Sequence, residues 1–215
     1  MMKRFALILS GCGVYDGAEI HESVSTMIAI RKAGAEYQLF APNREQYHVV
    51  NHLTGEEMDE KRNVLVESAR IARGQIKDII EFDPKDFDAI IFPGGFGAAK
   101  NLSDYAFKGS SCRAIPEIEK AIKDTIESGK PLGAECIAPV VMAAVLKGAT
   151  VTIGSDEATA KDIEQLDGHH IVAEHNGVIY DRKYNLYTTP CYMAAQNILE
   201  VYESAEALVN AMMRA

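Results

Sequence analysis

Phe5-Ala6-Leu7-Ile8-Leu9 runs directly into Ser10-Gly11-Cys12-Gly13. A short apolar run closed by glycine reads as a buried strand of a parallel sheet, covered on both faces and so free of polar alternation. The strand is placed at Arg4 to Leu9, with Ser10 to Gly13 as its turn. A helix follows over His21 to Lys32, where Ile20, Val24, Met27 and Ile28 fall on one face at helical spacing. Gly34 stops it. The same strand, turn and helix order recurs along the chain. Glu36 to Phe40 is a second strand, ended by Ala41-Pro42-Asn43. Residues 44 to 62 are polar and aperiodic and read as a long loop. Val64 to Ala72 is helical, closed by Gly74. Asp88 to Phe92 is a third strand running into Pro93-Gly94-Gly95. Ile115, Ile118, Ile122 and Ile126 keep one helical face, ended by Gly129-Lys130-Pro131. Pro131 to Glu135 is a strand and Pro139 to Leu146 an apolar helix. Val151 to Gly154, Gly177 to Tyr180 and Asn185 to Thr188 are strand-like, and Met193 to Val201 and Ser204 to Met213 helical.

This order predicts one doubly wound α/β domain over residues 1–215, with a mostly parallel sheet and helices on both faces. Ligands in such sheets sit beyond the carboxyl ends of the strands. The turns of interest are therefore 10–17, 93–97 and 136–139.

Composition sets outer limits. The chain has 215 residues, 47% hydrophobic and 25% charged, ordinary values for a globular protein. With 22 basic and 31 acidic residues its net charge is −9, which does not suit a general binder of nucleic acid or of anionic membrane. No apolar run approaches a membrane span. Leu9-Ser10-Gly11-Cys12 mimics a lipoprotein cleavage box, but the apolar stretch before it is too short for a signal core. Four cysteines, Cys12, Cys112, Cys136 and Cys191, form no CxxC pair. They read as free thiols in a reducing compartment, and the cytoplasm is the expected location.

Three turns compete for chemistry. Gly11, Gly13 and Gly17 give GxGxxxG, which is one residue too long for a dinucleotide fingerprint. The second strand ends in Ala41-Pro42-Asn43, where a ribose-binding acid would stand. A tight glycine turn is the simpler reading, and no nucleotide cofactor is expected. Ala134-Glu135-Cys136-Ile137-Ala138 is sharper. A strand ends at Cys136 and a helix begins at once, with Pro139 in its first turn. Small residues two positions either side of Cys136 are what a nucleophile elbow demands. A helix N-terminus there would lower the thiol pKa. A buried core cysteine is the competing reading. Cys12, Cys112 and Cys191 read as core or loop thiols. Gly94 and Gly95 would let backbone N–H groups face an anion, and with the N–H of Ile137 they would form an oxyanion hole.

A base is harder to find. His169, His170 and His175 lie on a late segment, and His170 is kept as a possible partner, against a plain solvated-loop reading. His48 and His52 with Glu56 would make a metal face only on a helix. Asn51, Thr54 and Gly55 argue for a loop there, so no metal is expected. Glu22 opens the helix after the first strand, at the functional edge. Glu135 is a charge in an otherwise apolar strand, read as ion-paired or outward-facing. Strand alternation would turn it away from the face that Cys136 presents.

Beyond these readings, Ser10 to Gly17, Asn51 to Gly55, Pro93 to Leu102, Cys136-Ile137-Ala138-Pro139 and Thr188-Thr189-Pro190 together resemble the ThiJ/PfpI branch of the class I glutamine amidotransferase-like superfamily. The resemblance runs nearly end to end and implies a flavodoxin-like fold, commonly a homodimer. It implies Cys136 as nucleophile, Glu22 as the glutamate that hydrogen-bonds it, and Gly95 and Ile137 as oxyanion donors. Two positions depart from the pattern. Ile137 replaces the histidine that follows the cysteine in many PfpI-like proteases, and Glu135 stands where a neutral residue is expected. The resemblance further implies a glyoxalase acting on a small-molecule aldehyde, without metal or glutathione. Hydrolysis by the same cysteine, or a redox-sensing role without turnover, are the alternatives.

Overall fold

The computed structural model describes residues 2–215. β1 (Arg4–Ile8) leads into α1 (Ile20–Lys32), β2 (Glu36–Ala41), α2 (Val64–Ile71), β3 (Ile76–Asp78) and β4 (Ala89–Phe92). Two short helices follow, α3 (Phe96–Lys100) and α4 (Tyr105–Lys108), then α5 (Pro116–Glu127), β5 (Leu132–Glu135) and α6 (Pro139–Val145). The chain closes with β6 (Thr150–Val151), α7 (Glu157–Gln165), β7 (His169–His170), β8 (Ile179–Asp181), β9 (Leu186–Thr189) and α8 (Ile198–Met213).

Seven strands form one sheet in the order β3-β2-β1-β4-β5-β9-β8. Every neighbouring pair is parallel except β8 with β9. β6 and β7 form a separate two-stranded parallel ladder. Strand alternation divides the core into two layers. Phe5, Leu7 and Leu9 face one side with Ile30 of α1, Val64 of α2 and Leu208 and Met212 of α8. Ala6 and Ile8 face the other with Ile118 and Ile122 of α5 and Val140 and Val141 of α6. The fold is thus the expected doubly wound α/β, flavodoxin-like, with helices on both faces. Chain order reverses at β1, whose neighbours are β2 and β4. The crevice between the carboxyl ends of β1 and β4 is where this topology opens a ligand site.

Several expectations shift. The strand at Asp88 to Phe92 is the fourth, because the short edge strand β3 precedes it. The late helical stretch is one helix. Cys191 to Met193 form a 3-10 turn, residues 194–197 leave helical geometry, and α8 starts only at Ile198. Asn197 sets that start by accepting from the N–H groups of Leu199 and Glu200 at 3.0 and 3.1 Å.

α1 is turned opposite to its apolar spacing. Ile20 and Ile28 stand 40% and 51% exposed, while Glu22, Ser23, Ser25, Thr26, Ala29 and Ile30 are buried. The inward face is narrow and polar because it reaches the carboxyl ends of the strands. Its hydroxyls close on the helix itself: Ser23 Oγ donates to Glu19 O and Thr26 Oγ1 to Glu22 O. Replacing the cap tests how the chain ends. Asn197→Ala is expected to destabilise the fold by about 1 kcal/mol, seen as a Tm roughly 2–4 °C lower by calorimetry for a chain of this size.

Candidate active site

Cys136 directly follows β5 with φ +58°, a left-handed conformation that a non-glycine side chain rarely adopts. Its backbone N–H still donates to Thr189 O at 3.0 Å, holding the residue to β9. α6 then departs one turn later, with Pro139 at its start. This is the strand-to-helix elbow, and such strain is retained where the surrounding structure fixes it. Cys136 is only 7% exposed, and what shows lies in a cavity of about 360 Å³.

Glu22 approaches the thiol from α1. It is fully buried, and its Oε2 and the Cys136 sulfur both border Gly94, close enough for the thiol to influence its carboxyl. Its Oε2 accepts from Gly94 N at 3.0 Å and its Oε1 from Tyr192 N at 3.2 Å. A Cβ on Gly94 would lie 2.4 Å from Cys136 Cβ and 2.7 Å from Glu22 Oε2. Only glycine there lets thiol and carboxyl meet. Gly95, with φ +92°, is packed against the backbone of Gly17 and Glu19. Its N–H and that of Ile137 lie close enough to the Cys136 sulfur to favour its thiolate. The structure therefore brings together Cys136, Glu22, Gly94, Gly95 and Ile137.

The acid–base balance differs from the sequence expectation. Burial, then the neighbouring Glu22, pushes the Cys136 thiol well up rather than down. α6 has only seven residues, and its N-terminus does not offset the loss of water. Burial, then the charge of Glu19, raises Glu22 to about 8. At neutral pH Glu22 thus carries its proton. A neutral carboxyl neither repels a thiolate nor competes with it, and can donate to it.

Glu135 is neither ion-paired nor outward-facing. It is buried, and Thr26 Oγ1 sits 2.9 Å from both of its oxygens. Burial, then Glu22, holds its carboxyl well above the usual range. Both acids thus meet α1, on the side of the sheet that carries α8. Cys191 is likewise buried with φ +44°, and burial, then Glu135, pushes its thiol up. It is a core thiol, as read.

The histidines rearrange most. His170 sits on β7, where its Nε2 accepts from Ile153 N at 3.4 Å, and it does not line the cavity. His175 lies 3.3 Å from Glu203 on α8. His48 and His52 belong to the long loop, and His52 Nε2 accepts from Tyr15 N at 3.2 Å. The histidine nearest this chemistry is His21, whose Nδ1 lies 2.7 Å from the hydroxyl of Tyr192. Tyr192 lines the cavity and also donates its N–H to Glu22. Sequence reasoning missed this pair. Its only signal was the position of His21 beside Glu22.

The buried acid has a consequence for stability. Glu22 titrates near 4.5 when unfolded and about 8 when folded. Between those values the folded chain holds a proton that the unfolded chain releases, so stability falls as pH rises through this window. Glu22→Gln is expected to lose less Tm than the unaltered chain between about pH 5 and pH 8, read by calorimetry across that range. Equal losses would place the proton elsewhere.

Comparison with known proteins extends the geometry. The DJ-1/PfpI family model matches residues 12–195. The chain is 44% identical over 216 residues to the human glutamine amidotransferase-like class 1 domain-containing protein 3, mitochondrial, covering 96% of this chain and 81% of the relative. A deglycase of Thermococcus kodakarensis is 36% identical over 118 residues, 46% of this chain and 60% of that one. The crystal structure of an isoprenoid biosynthesis protein with amidotransferase-like domain from Ehrlichia chaffeensis superposes with a TM-score of 0.91 at 35% identity, covering 98% and 99% of the two chains. The matched span holds the elbow cysteine, its buried glutamate and the glycine loop that joins them, and the chain belongs to the DJ-1/PfpI family.

Proposed function

We propose that the chain is a cofactor-independent glyoxalase-type enzyme that converts glyoxal to glycolate through a hemithioacetal on Cys136. The observation that carries this reading is a left-handed cysteine on a cavity wall, with a proton-bearing carboxyl behind it and two backbone N–H groups that favour its thiolate. The thiolate adds to one aldehyde carbon, and the oxygen becomes an alkoxide held by the N–H groups of Gly95 and Ile137. The proton on that carbon moves to the neighbouring carbon, and the proton given up by the thiol, held meanwhile on a group of the site, ends on the second oxygen, so that its carbonyl becomes an alcohol. The first carbon is left as a thioester. Water then releases the acid and restores the thiol. The net change is addition of one water to a dialdehyde, so no oxidant or reductant enters.

Two groups serve proton transfer. Glu22 is poised behind the sulfur, and the Tyr192 hydroxyl, bonded to His21, stands on the cavity wall. General acid–base groups of this kind contribute typically ~10²–10⁴-fold. The deglycase among the relatives is a family member named for an enzymatic activity, which supports catalysis rather than sensing alone. Hydrolysis by the same cysteine remains the second reading, favoured by that relative's name. The raised thiol works against a role as a fast peroxide sensor, which would need an exposed thiolate.

The sequence blocks at 10–17, 51–55 and 93–102 also resemble the enhancing-lycopene-biosynthesis protein ElbB. The description of the Ehrlichia neighbour supports a place near isoprenoid metabolism. The human, rat and zebrafish relatives are mitochondrial by name, which does not match the cytoplasmic expectation. No helix among the described residues is long and apolar enough to cross a membrane. A homodimer would cover the exposed Ile20 and Ile28 face of α1.

Metal-free protein is expected to release glycolate from glyoxal, and Cys136→Ala to abolish it with Tm nearly unchanged; turnover surviving in Cys136→Ala would remove the cysteine from the mechanism. Glu22→Gln should cost at least about tenfold in kcat/KM, and Glu135→Gln much less. Turnover of the unaltered enzyme should fall as pH rises through about 8, because Glu22 loses its proton there and its charge then opposes the thiolate. The residual activity of Glu22→Gln should lack that limb. Tyr192→Phe should lower kcat and alter the pH profile; an unchanged profile would leave the Tyr192–His21 pair structural.

A further inference from the structure

We propose, resting on the glyoxalase-type reading, that the site selects a neutral carbonyl substrate carrying an aromatic or branched aliphatic arm, so that glyoxal is a minimal substrate and an aryl or bulky alkyl α-oxoaldehyde a better one. Size is the first observation. The cavity holds about 360 Å³, whereas glyoxal takes the space of roughly two or three water molecules of about 30 Å³ each. Most of the cavity therefore lies beyond the two reacting carbons.

The composition of the walls is the second. Val14, Phe96, Ala99, Ala106, Ile137 and Met193 supply apolar surface around Cys136. Tyr105 adds its ring, while its hydroxyl is spent on Asp162 at 2.9 Å. Phe96 is 49% exposed, leaving an aromatic surface unburied beside the site. An apolar arm laid there releases water that the walls hold poorly.

Charge is the third. No lysine, arginine or histidine lines the cavity among the described residues. Lys100 lies 5.3 Å from the Phe96 ring centre, but its ammonium donates to Tyr15 O at 2.8 Å. The one carboxylate on the wall, Asp156, is kept ionised by the N–H and hydroxyl of Thr159. A carboxylated or phosphorylated arm would meet Asp156 with no paired cation on a chain of net charge −9. Such like-charge placement repels the ligand during approach and after binding.

The test compares glyoxal, phenylglyoxal and 4-carboxyphenylglyoxal as substrates of the unaltered enzyme. Phenylglyoxal should exceed glyoxal in kcat/KM by at least about tenfold, and the carboxylated analogue should fall below phenylglyoxal by a similar factor. Phe96→Ala, a change at a half-exposed position, should reduce the phenylglyoxal-to-glyoxal ratio. Equal or reversed preferences, or a ratio unmoved by Phe96→Ala, would overturn the proposal. If no dicarbonyl turns over, the glyoxalase reading fails, and binding decides the cavity claim separately. Calorimetry on Cys136→Ala should then show 2-hydroxyacetophenone binding at least about tenfold more tightly than the anion benzoylformate. Equal affinities, or tighter binding of benzoylformate, would overturn it.

Discussion

The site depends on one close approach: Glu22 of α1 reaching the sulfur of Cys136 across Gly94. Each partner is fixed from elsewhere. Cys136 is held left-handed by the end of β5 and by its bond to Thr189 of β9. Glu22 is held by N–H groups from the β4 turn and from Tyr192. Gly94 carries no side chain because any Cβ would collide with both. Three strand ends and one helix therefore converge on this contact. The alternation of α1 is given up to it, since the helix turns Glu22 and Thr26 inward and leaves Ile20 and Ile28 outside.

Burying acids is costly unless they are neutral or well bonded. Glu22 and Glu135 meet that demand in different ways. Glu22 has two backbone donors and the thiol, while Glu135 has only Thr26. Burial holds both carboxyls above the usual range, Glu22 at about 8, so the region behind the cysteine favours protons over charges. That arrangement exchanges some stability at high pH for a carboxyl able to donate to a thiolate. Burial is the first cause of the raised thiol, so this cysteine depends on its partner in the site and not on exposure to solvent.

The strands of the sheet centre were legible in the sequence because apolar runs such as Phe5 to Leu9 and Ala89 to Phe92 end in glycine or proline turns. The elbow was legible for the same reason, from small residues around Cys136. Other elements were hidden. α3 (Phe96–Lys100) is a short helix that opens within Gly95-Phe96-Gly97, which reads as a glycine turn. α7 is polar along most of its length and gives no apolar periodicity. The stretch from Met193 to Val201 keeps helical spacing across residues 194–197, yet Asn197 caps a new helix there. Glu135 misled because a charged residue in a strand is ordinarily exposed or paired. His21 and Tyr192 stand 171 positions apart, and only the closing of β9 beside β5 brings them together. His170 shared the late segment but belongs to the separate β6–β7 ladder.

Infrared spectroscopy of the carboxyl groups across pH 5 to 9, comparing the unaltered chain with Glu22→Gln, tests the proton on Glu22 most directly. A protonated-carboxyl component that persists through neutral pH, fades with a midpoint near 8 and is lost in Glu22→Gln, while that of Glu135 stays, is the predicted result. A Glu22 carboxyl already ionised at pH 6 would contradict the account.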